Sequence, residues 1–443
     1  MCVAEALRKA IKKKSGKKTL LEQTVVLTAS NMAVRALGFW MRIWFSRVMG
    51  AEAVGLMELA SSAHMLWITP VTAGLPLAVS STVAQGNSDA RSVLLAARRL
   101  VMRVCRVMLP LLLVLSPWIA RLLGDARTLP ALWAFLPCLP ILGLSAAYNG
   151  YCYGMGTTVP QALSEIVEQG LRFLLSAALL YGLRNATIAW TAALPAVATA
   201  IGEGVGVALV AWMLRAQLRG ASRRRDPDME RRLWRLSLPV TGIRVLNAGV
   251  RTLSAVIIPL RLRASGLAAA EAMARLGMLQ GMALPLLLMP SVFTGALAMV
   301  SAPALAARKR DRAAMRALSL RLLPAAAGIS LLAAAAVYAG APLIAVRLYR
   351  QPDLLPLLRT LTPLVVVFGV QQVCSSLLAG LGMQRKVFTA SLLGALFTLI
   401  LTWIWAALPA FRLLGCAYAM IAGQSLTVLL NLSQLFAALR LGD

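Results

Sequence analysis

Two arginines stand where a charge is costly. In "NMAVRALGFWMRIWFSRVMG" (31–50), Arg35 and Arg42 lie among Trp40, Met41, Ile43, Trp44 and Phe45. At the helical period, Asn31, Arg35, Gly38 and Arg42 fall on one stripe. A second stripe, Arg244, Asn247, Arg251 and Ser254, recurs in another apolar run. Guanidinium is charged at any relevant pH and offers a planar fork of donors that matches phosphate or carboxylate oxygens. Near mid-bilayer each arginine costs about 2.5–3.5 kcal/mol, so it faces protein or water rather than lipid. One such residue is equally well read as bonding carbonyls or a carboxylate on a neighbouring helix. Two related stripes point instead to a cationic cavity that holds an anion.

Carboxylates form the second set. In "SEIVEQGLRF" (164–173), Glu168 and Arg172 are spaced i, i+4 and can pair on one helix face, with Glu165 on nearly the same face. These residues read as an ion pair first and as a proton or ion relay second. Glu58, Glu203 and Glu271 with Arg275 are further candidates, read as lying near helix ends.

Other chemistries are excluded or disfavoured. With one histidine, His64, there is no Ser/His/Asp set, and no carboxylate pair sits in a soluble domain, so an enzyme is not expected. The six cysteines (Cys2, Cys105, Cys138, Cys152, Cys374, Cys416) are scattered without a CxxC and read as small apolar packing residues, so no metal or cofactor is expected. The absence of a G-x-x-x-x-G-K-[ST] loop removes nucleotide-driven transport by this chain alone.

The elements that must position these residues are membrane helices. The 443 residues are 59% hydrophobic and only 14% charged, with a mean hydropathy of +0.76, too apolar for a soluble surface. Apolar runs long enough to cross a bilayer centre near residues 34, 70, 110, 141, 171, 199, 250, 285, 328, 368, 398 and 425. The expected fold is an all-α polytopic membrane protein of about twelve spans; the ten-residue alternation of a β-barrel is missing. Pro70 and Pro76, and Pro285 and Pro290, interrupt the second and eighth spans.

The net charge of +29 follows the topology. With the N-terminus inside, 29 of the 45 Lys and Arg fall in loops on that side and nine in loops on the other. By the positive-inside rule both termini are cytoplasmic, and the cations meet anionic lipids rather than nucleic acid. The basic N-terminus precedes a span that is too long, and too rich in arginine, for a signal peptide, and no small-residue cleavage site follows.

The longest basic loop (215–235) separates six spans from six. "NMAVRAL" (31–37) aligns with "NAGVRTL" (247–253) at a shift of 216, which also pairs Arg47 with Arg263 and Gly50 with Gly266. At a shift of 226, Pro137, Gly143, Gly154 and Gly156 meet Pro363, Gly369, Gly380 and Gly382. Both halves start on the same side, which makes this a parallel repeat. The expected organisation is a basic N-terminal segment (1–19), an N-lobe (20–214), a basic linker (215–236) and a C-lobe (237–443), two six-helix lobes around a central cavity.

The stretch "LTASNMAVRALGFWMRIWFSRVMGAEAVGLMEL" through "TAGLPLAVSSTVAQ" resembles the polysaccharide-transporter branch of the MATE-like (MOP) flippase superfamily, to which the lipid II flippases are related. "NGYCYGMGTTVPQALSEIVEQGLRF" (149–173) and "SSLLAGLGMQRKVFTA" (375–390) resemble its signatures in the two halves. The resemblance covers nearly the whole chain. It implies two lobes forming a V, alternating access, and an anionic lipid-linked glycan precursor as substrate. Positionally it carries a phosphate-holding role onto Arg35, Arg42, Arg244 and Arg251.

The expected function is thus a flippase of an undecaprenyl-linked cell-wall or polysaccharide precursor across the bacterial cytoplasmic membrane. Asn31, Arg35, Arg42, Arg244, Asn247 and Arg251 would meet the substrate. H+, Na+ or the membrane potential would drive it, with Glu165, Glu168, Arg172 and Glu58 as coupling or pairing residues. A multidrug/cation antiporter of the same fold is a second reading, disfavoured because the stripes are cationic and the first span has only Glu22, at its end. A membrane scaffold for envelope or spore-wall synthesis is a third, which would need no buried charge.

Overall fold

A computed structural model of the chain describes residues 17–86, 89–157, 159–215, 227–308 and 311–440, without the side chains of 17–35, 227, 312 and 440. Most of the basic N-terminal segment and residues 216–226 of the linker therefore lie outside the described residues. The described residues are helical, with no strand among them. In hydrocarbon this is the form in which a single segment satisfies all its backbone groups.

Among the described residues, the twelve apolar runs become sixteen α-helices. These are α1 (Lys17–Thr72), α2 (Leu75–Ala84), α3 (Ala90–Leu122), α4 (Leu129–Phe135), α5 (Cys138–Gly154), α6 (Val159–Gly182), α7 (Ile188–Leu214) and α8 (Pro227–Ala264), followed by α9 (Ala269–Leu276), α10 (Leu284–Leu288), α11 (Ser291–Ala306), α12 (Arg312–Pro342), α13 (Leu354–Leu361), α14 (Pro363–Gly380), α15 (Gln384–Trp405) and α16 (Arg412–Arg440). Wider π-type turns over Gly277–Ala283 and Leu343–Leu348 join α9 to α10 and extend α12.

Among the described residues, eight stretches are long and apolar enough to cross a membrane, and two bent helix pairs raise this to ten. One of the eight, Ala36–Ala84, is 49 residues long. At about 1.5 Å per residue it is more than twice the hydrocarbon thickness, and Gly50 breaks it with φ 78. Read as two crossings, and with the 24-residue α6 added despite its charges, these stretches are consistent with twelve. The prolines act as their positions predict: α1 stops at Thr72 and α2 restarts with Pro76 in its first turn, and the pair Ala269–Leu288 and Ser291–Ala306 is bent by 54° next to Pro290.

The chain divides into two compact units. One holds residues up to Arg42 together with Leu59–Thr252; the other holds Ile43–Glu58 together with residues from Leu253 onward. They do not coincide with 20–214 and 237–443, and the reason is close backbone packing. In the second unit, a Cβ at Gly55 would strike the carbonyl of Met273, one at Gly277 the carbonyl of Ala51, and one at Gly281 the side chain of Val54. In the first unit, a Cβ at Gly74 would strike the carbonyl of Ser237. There too Thr252 Oγ1 donates to the carbonyl of Ser62 at 2.9 Å.

The glycines paired by sequence adopt paired conformations. Gly50 and Gly266, at a shift of 216, have φ of 78 and 93; Gly156 and Gly382, at a shift of 226, have φ of 66 and 86. These are left-handed backbones that glycine accepts without strain. α5 ends at Gly154 and α14 at Gly380, two residues before the second pair. The internal repeat is thus written in backbone geometry as well as in residue type.

Candidate functional site

α8 presents the clearest polar stripe. Arg244, Asn247 and Arg251 are all exposed, while Thr241, Ala248, Ala255 and Ile258 on the same helix are buried. The stripe lies well inside an apolar helix, one of the membrane-length stretches (Asp228–Ala264). Ser254, at the same stripe's end, is half-buried. Asn31 and Arg35 lie in α1, but their side chains fall outside the described residues. Arg42 is half-buried on α1. Its counterpart at a shift of 216, Ile258, is buried core.

The second set of residues is brought together more tightly than the sequence foretold. Arg172 on α6 pairs with Glu168 one turn earlier, and its Nη2 also reaches Oε1 of Glu203 on α7 at 2.9 Å. Two carboxylates thus share one guanidinium inside the first unit. Gly202 and Gly206 let α7 approach: a Cβ on Gly202 would lie 3.2 Å from the carbonyl of Glu168, and one on Gly206 2.9 Å from Ser164 Oγ. Nε of Arg172 is buried and finds no hydrogen-bond partner among the described residues. Glu165 sits beside this cluster and accepts from Gln161 Nε2 at 3.0 Å, and that amide also donates to Tyr153 Oη at 2.6 Å.

Glu203 was expected near a helix end and is a correction. α7 runs from Ile188 to Leu214, so Glu203 stands more than two turns from either end. The available signal was its own context: a lone acid in "AIGEGVGV", with glycines on both sides that admit a neighbouring helix. Glu58 is half-buried in the second unit, where a Cβ on Gly281 would lie 3.5 Å from its Cγ.

Arg47 lies off the α1 stripe, where a long cationic side chain ordinarily reaches for the membrane surface. It instead donates Nε and Nη2 to the carbonyls of Leu348 and Arg347 at 2.5 and 2.6 Å. Those carbonyls close the turn that extends α12, so the cation meets the negative end of a helix. Glu271 and Arg275 pair at 3.3 Å as their spacing predicts, and Asp353 joins them at 3.1 Å. The described cysteines are buried free thiols, and His64 is buried against Phe135, ring centroids 4.3 Å apart.

A helical chain of two units, with apolar helices long enough to cross a membrane and arginines inside them, defines a class: a multi-pass membrane protein. Comparisons with known proteins agree. A family model described as polysaccharide biosynthesis protein matches residues 20–309, and the chain belongs to that family. It is 26% identical over 433 residues to the stage V sporulation protein B of Bacillus subtilis (strain 168), covering 94% of this chain and 83% of that one. Among solved structures, an inward-facing multidrug resistance MATE family transporter of the MOP superfamily superposes with a TM-score of 0.77 at 17% identity, covering 94% of this chain and all of that one. The lipid II flippase MurJ, in an inward closed conformation, gives 0.74 at 13% identity, covering 93% and 87%.

Proposed function

We propose that this chain is an alternating-access flippase. It exports an anionic, undecaprenyl-linked cell-wall or polysaccharide precursor across the bacterial cytoplasmic membrane, with both termini in the cytoplasm. The observation that carries this reading is the exposed stripe Arg244, Asn247 and Arg251 on a membrane-length helix. Exposed guanidinium inside hydrocarbon is unfavourable by several kcal/mol, so the stripe faces water or an anion. A lipid-linked phosphate is an anion that must pass that depth. Asn31, Arg35 and Arg42 supply the matching stripe on α1. The family's description, and the presence of a lipid II flippase among the proteins of this fold, support the same substrate class. Cationic drugs would be repelled by such a lining.

Coupling falls to the cluster in the first unit. Two carboxylates, Glu168 and Glu203, share Arg172, which leaves one negative charge for a proton or Na+ to balance. Glu165 stands beside it, and Glu58 is a half-buried acid of the other unit.

The test is translocation of a labelled lipid-linked precursor by the purified protein in proteoliposomes. A charge-assisted hydrogen bond is worth roughly 1.5–3 kcal/mol, so Arg244→Ala and Arg251→Ala should each lower the rate about tenfold or more while the folded yield is unchanged. Wild-type rates in both variants, at normal protein levels, would sink the anionic-substrate reading. Glu203→Gln should flatten the response to a pH or Na+ gradient while leaving precursor binding intact.

A further inference from the structure

The first unit holds a cavity of about 540 Å³ between α3 and α8, away from the α8 stripe, lined by Arg103, Val104, Glu230, Arg231, Trp234 and Arg235. Three guanidinium groups and one carboxylate leave it two positive charges. Glu230 is 3% exposed, and Arg103 Nη2 stands 2.6 Å from its Oε2. Its Oε1 finds no hydrogen-bond partner among the described residues. The pair ties α3 to α8, so Arg103 is partly committed. Arg231 and Arg235, one turn apart and both exposed, are not held by that carboxylate.

The depth of the cavity is readable on both helices. On α3 the cations Arg98, Arg99, Arg103 and Arg106 give way to exposed Val107, Leu111, Val114 and Trp118. On α8 Arg231, Arg232 and Arg235 give way to exposed Leu236, Leu238 and Ile243. Exposed apolar runs on membrane-length helices meet acyl chains. Both switches from cation to apolar surface fall at the cavity, and Trp234, 39% exposed at its rim, is the residue type favoured at the membrane interface. A ligand here has its head among arginines and its body beside Val107 and Leu238.

We infer that this cavity binds the headgroup phosphate of an anionic phospholipid, with Arg231 and Arg235 as the phosphate donors and Arg103 held in place by Glu230. The site stands independently of the transport reading, because none of its residues belongs to the stripe or to the acidic cluster. Its expected occupant is a structural lipid that clamps the start of α8 to α3.

The experiment counts lipid bound to the purified full-length chain by native mass spectrometry during titration with dioleoyl phosphatidylglycerol or dioleoyl phosphatidylcholine. Losing two interfacial cations, the pair Arg231→Gln and Arg235→Gln should weaken phosphatidylglycerol binding about thirtyfold. The control pair Arg316→Gln and Arg321→Gln, on α12, should leave it unchanged. The pair Arg231→Lys and Arg235→Lys keeps the charge, guards against a folding defect, and should retain binding within about threefold. Equal losses in the two Gln pairs, phosphatidylcholine binding as tight as phosphatidylglycerol, or displacement of the lipid by soluble inorganic pyrophosphate would each overturn the assignment.

Discussion

The helix pair α6/α7 in the first unit and the pair α15/α16 in the second occupy equivalent places in the repeat and both approach through glycines, yet only the first adds an ion cluster. At a shift of 226, Glu168 and Arg172 correspond to Gly394 and Thr398, and Glu203 corresponds to Leu429. The first pair is bound by a guanidinium between two carboxylates. The second is bound by absence of bulk: a Cβ on Gly394 would lie 2.6 Å from the carbonyl of Gly423, and one on Gly423 2.6 Å from that of Gly394. Thr398 and Thr427 turn their hydroxyls back onto those same two carbonyls, at 2.9 and 3.1 Å. Close approach through small residues is the ordinary way for membrane helices to associate, since lipid gives apolar side chains no reason to prefer one another. The charged pair is the departure. A buried ion cluster is weak evidence for stability, which is why its place in one half alone points to function.

The contrast can be broken most severely at its charged end. Arg172→Met strips both carboxylates of their partner and should cost about 3–5 kcal/mol, seen as a large drop in the thermal midpoint in detergent. Adding Glu168→Gln and Glu203→Gln should restore most of it; failure to do so would mean the cluster is not acting as a unit. Next come Gly394→Val and Gly423→Val, which force bulk between α15 and α16 and should cost about 1–3 kcal/mol each. Gly170→Ala on α6, where a Cβ meets nothing within 4 Å, should instead gain up to about 1 kcal/mol from helix propensity.

The shared backbone offers a finer test. Gly156→Ala and Gly382→Ala should each lose about 1 kcal/mol, because both positions need positive φ. Unequal losses would argue against an equivalent repeat. The smallest effect belongs to Arg275→Gln, whose partners Glu271 and Asp353 are 45% and 61% exposed. It should cost under about 1 kcal/mol, a difference that fades when unfolding is repeated in high salt.

Much of this was legible in the sequence. Each apolar run expected to span the membrane lies on a helix, and one glycine pair from each alignment shares a positive φ. The pairing of Arg172 with Glu168 follows from spacing alone. Glu203 does not, because it is joined to Arg172 by helix packing, which carries no fixed offset along the chain. The exchange of Ile43–Glu58 into the second unit was hidden for a similar reason. A kink at Gly50 and close approach at Gly55 and Gly277 are local permissions, and they say nothing about which distant segment uses them. Arg244, Asn247 and Arg251 share an exposed face because a helical period suffices to align them.

The hydrogen bonds from Arg47 to Arg347 and Leu348 set a schedule for synthesis. Ile43–Glu58 is made early but packs into a unit otherwise built from Leu253 onward. At roughly 5–20 residues per second, the acceptors of Arg47 emerge about 15 to 60 seconds after Arg47 itself. For that interval the segment must be held in the bilayer without the partners it will finally keep, so the second unit can close only when the ribosome is most of the way through the chain.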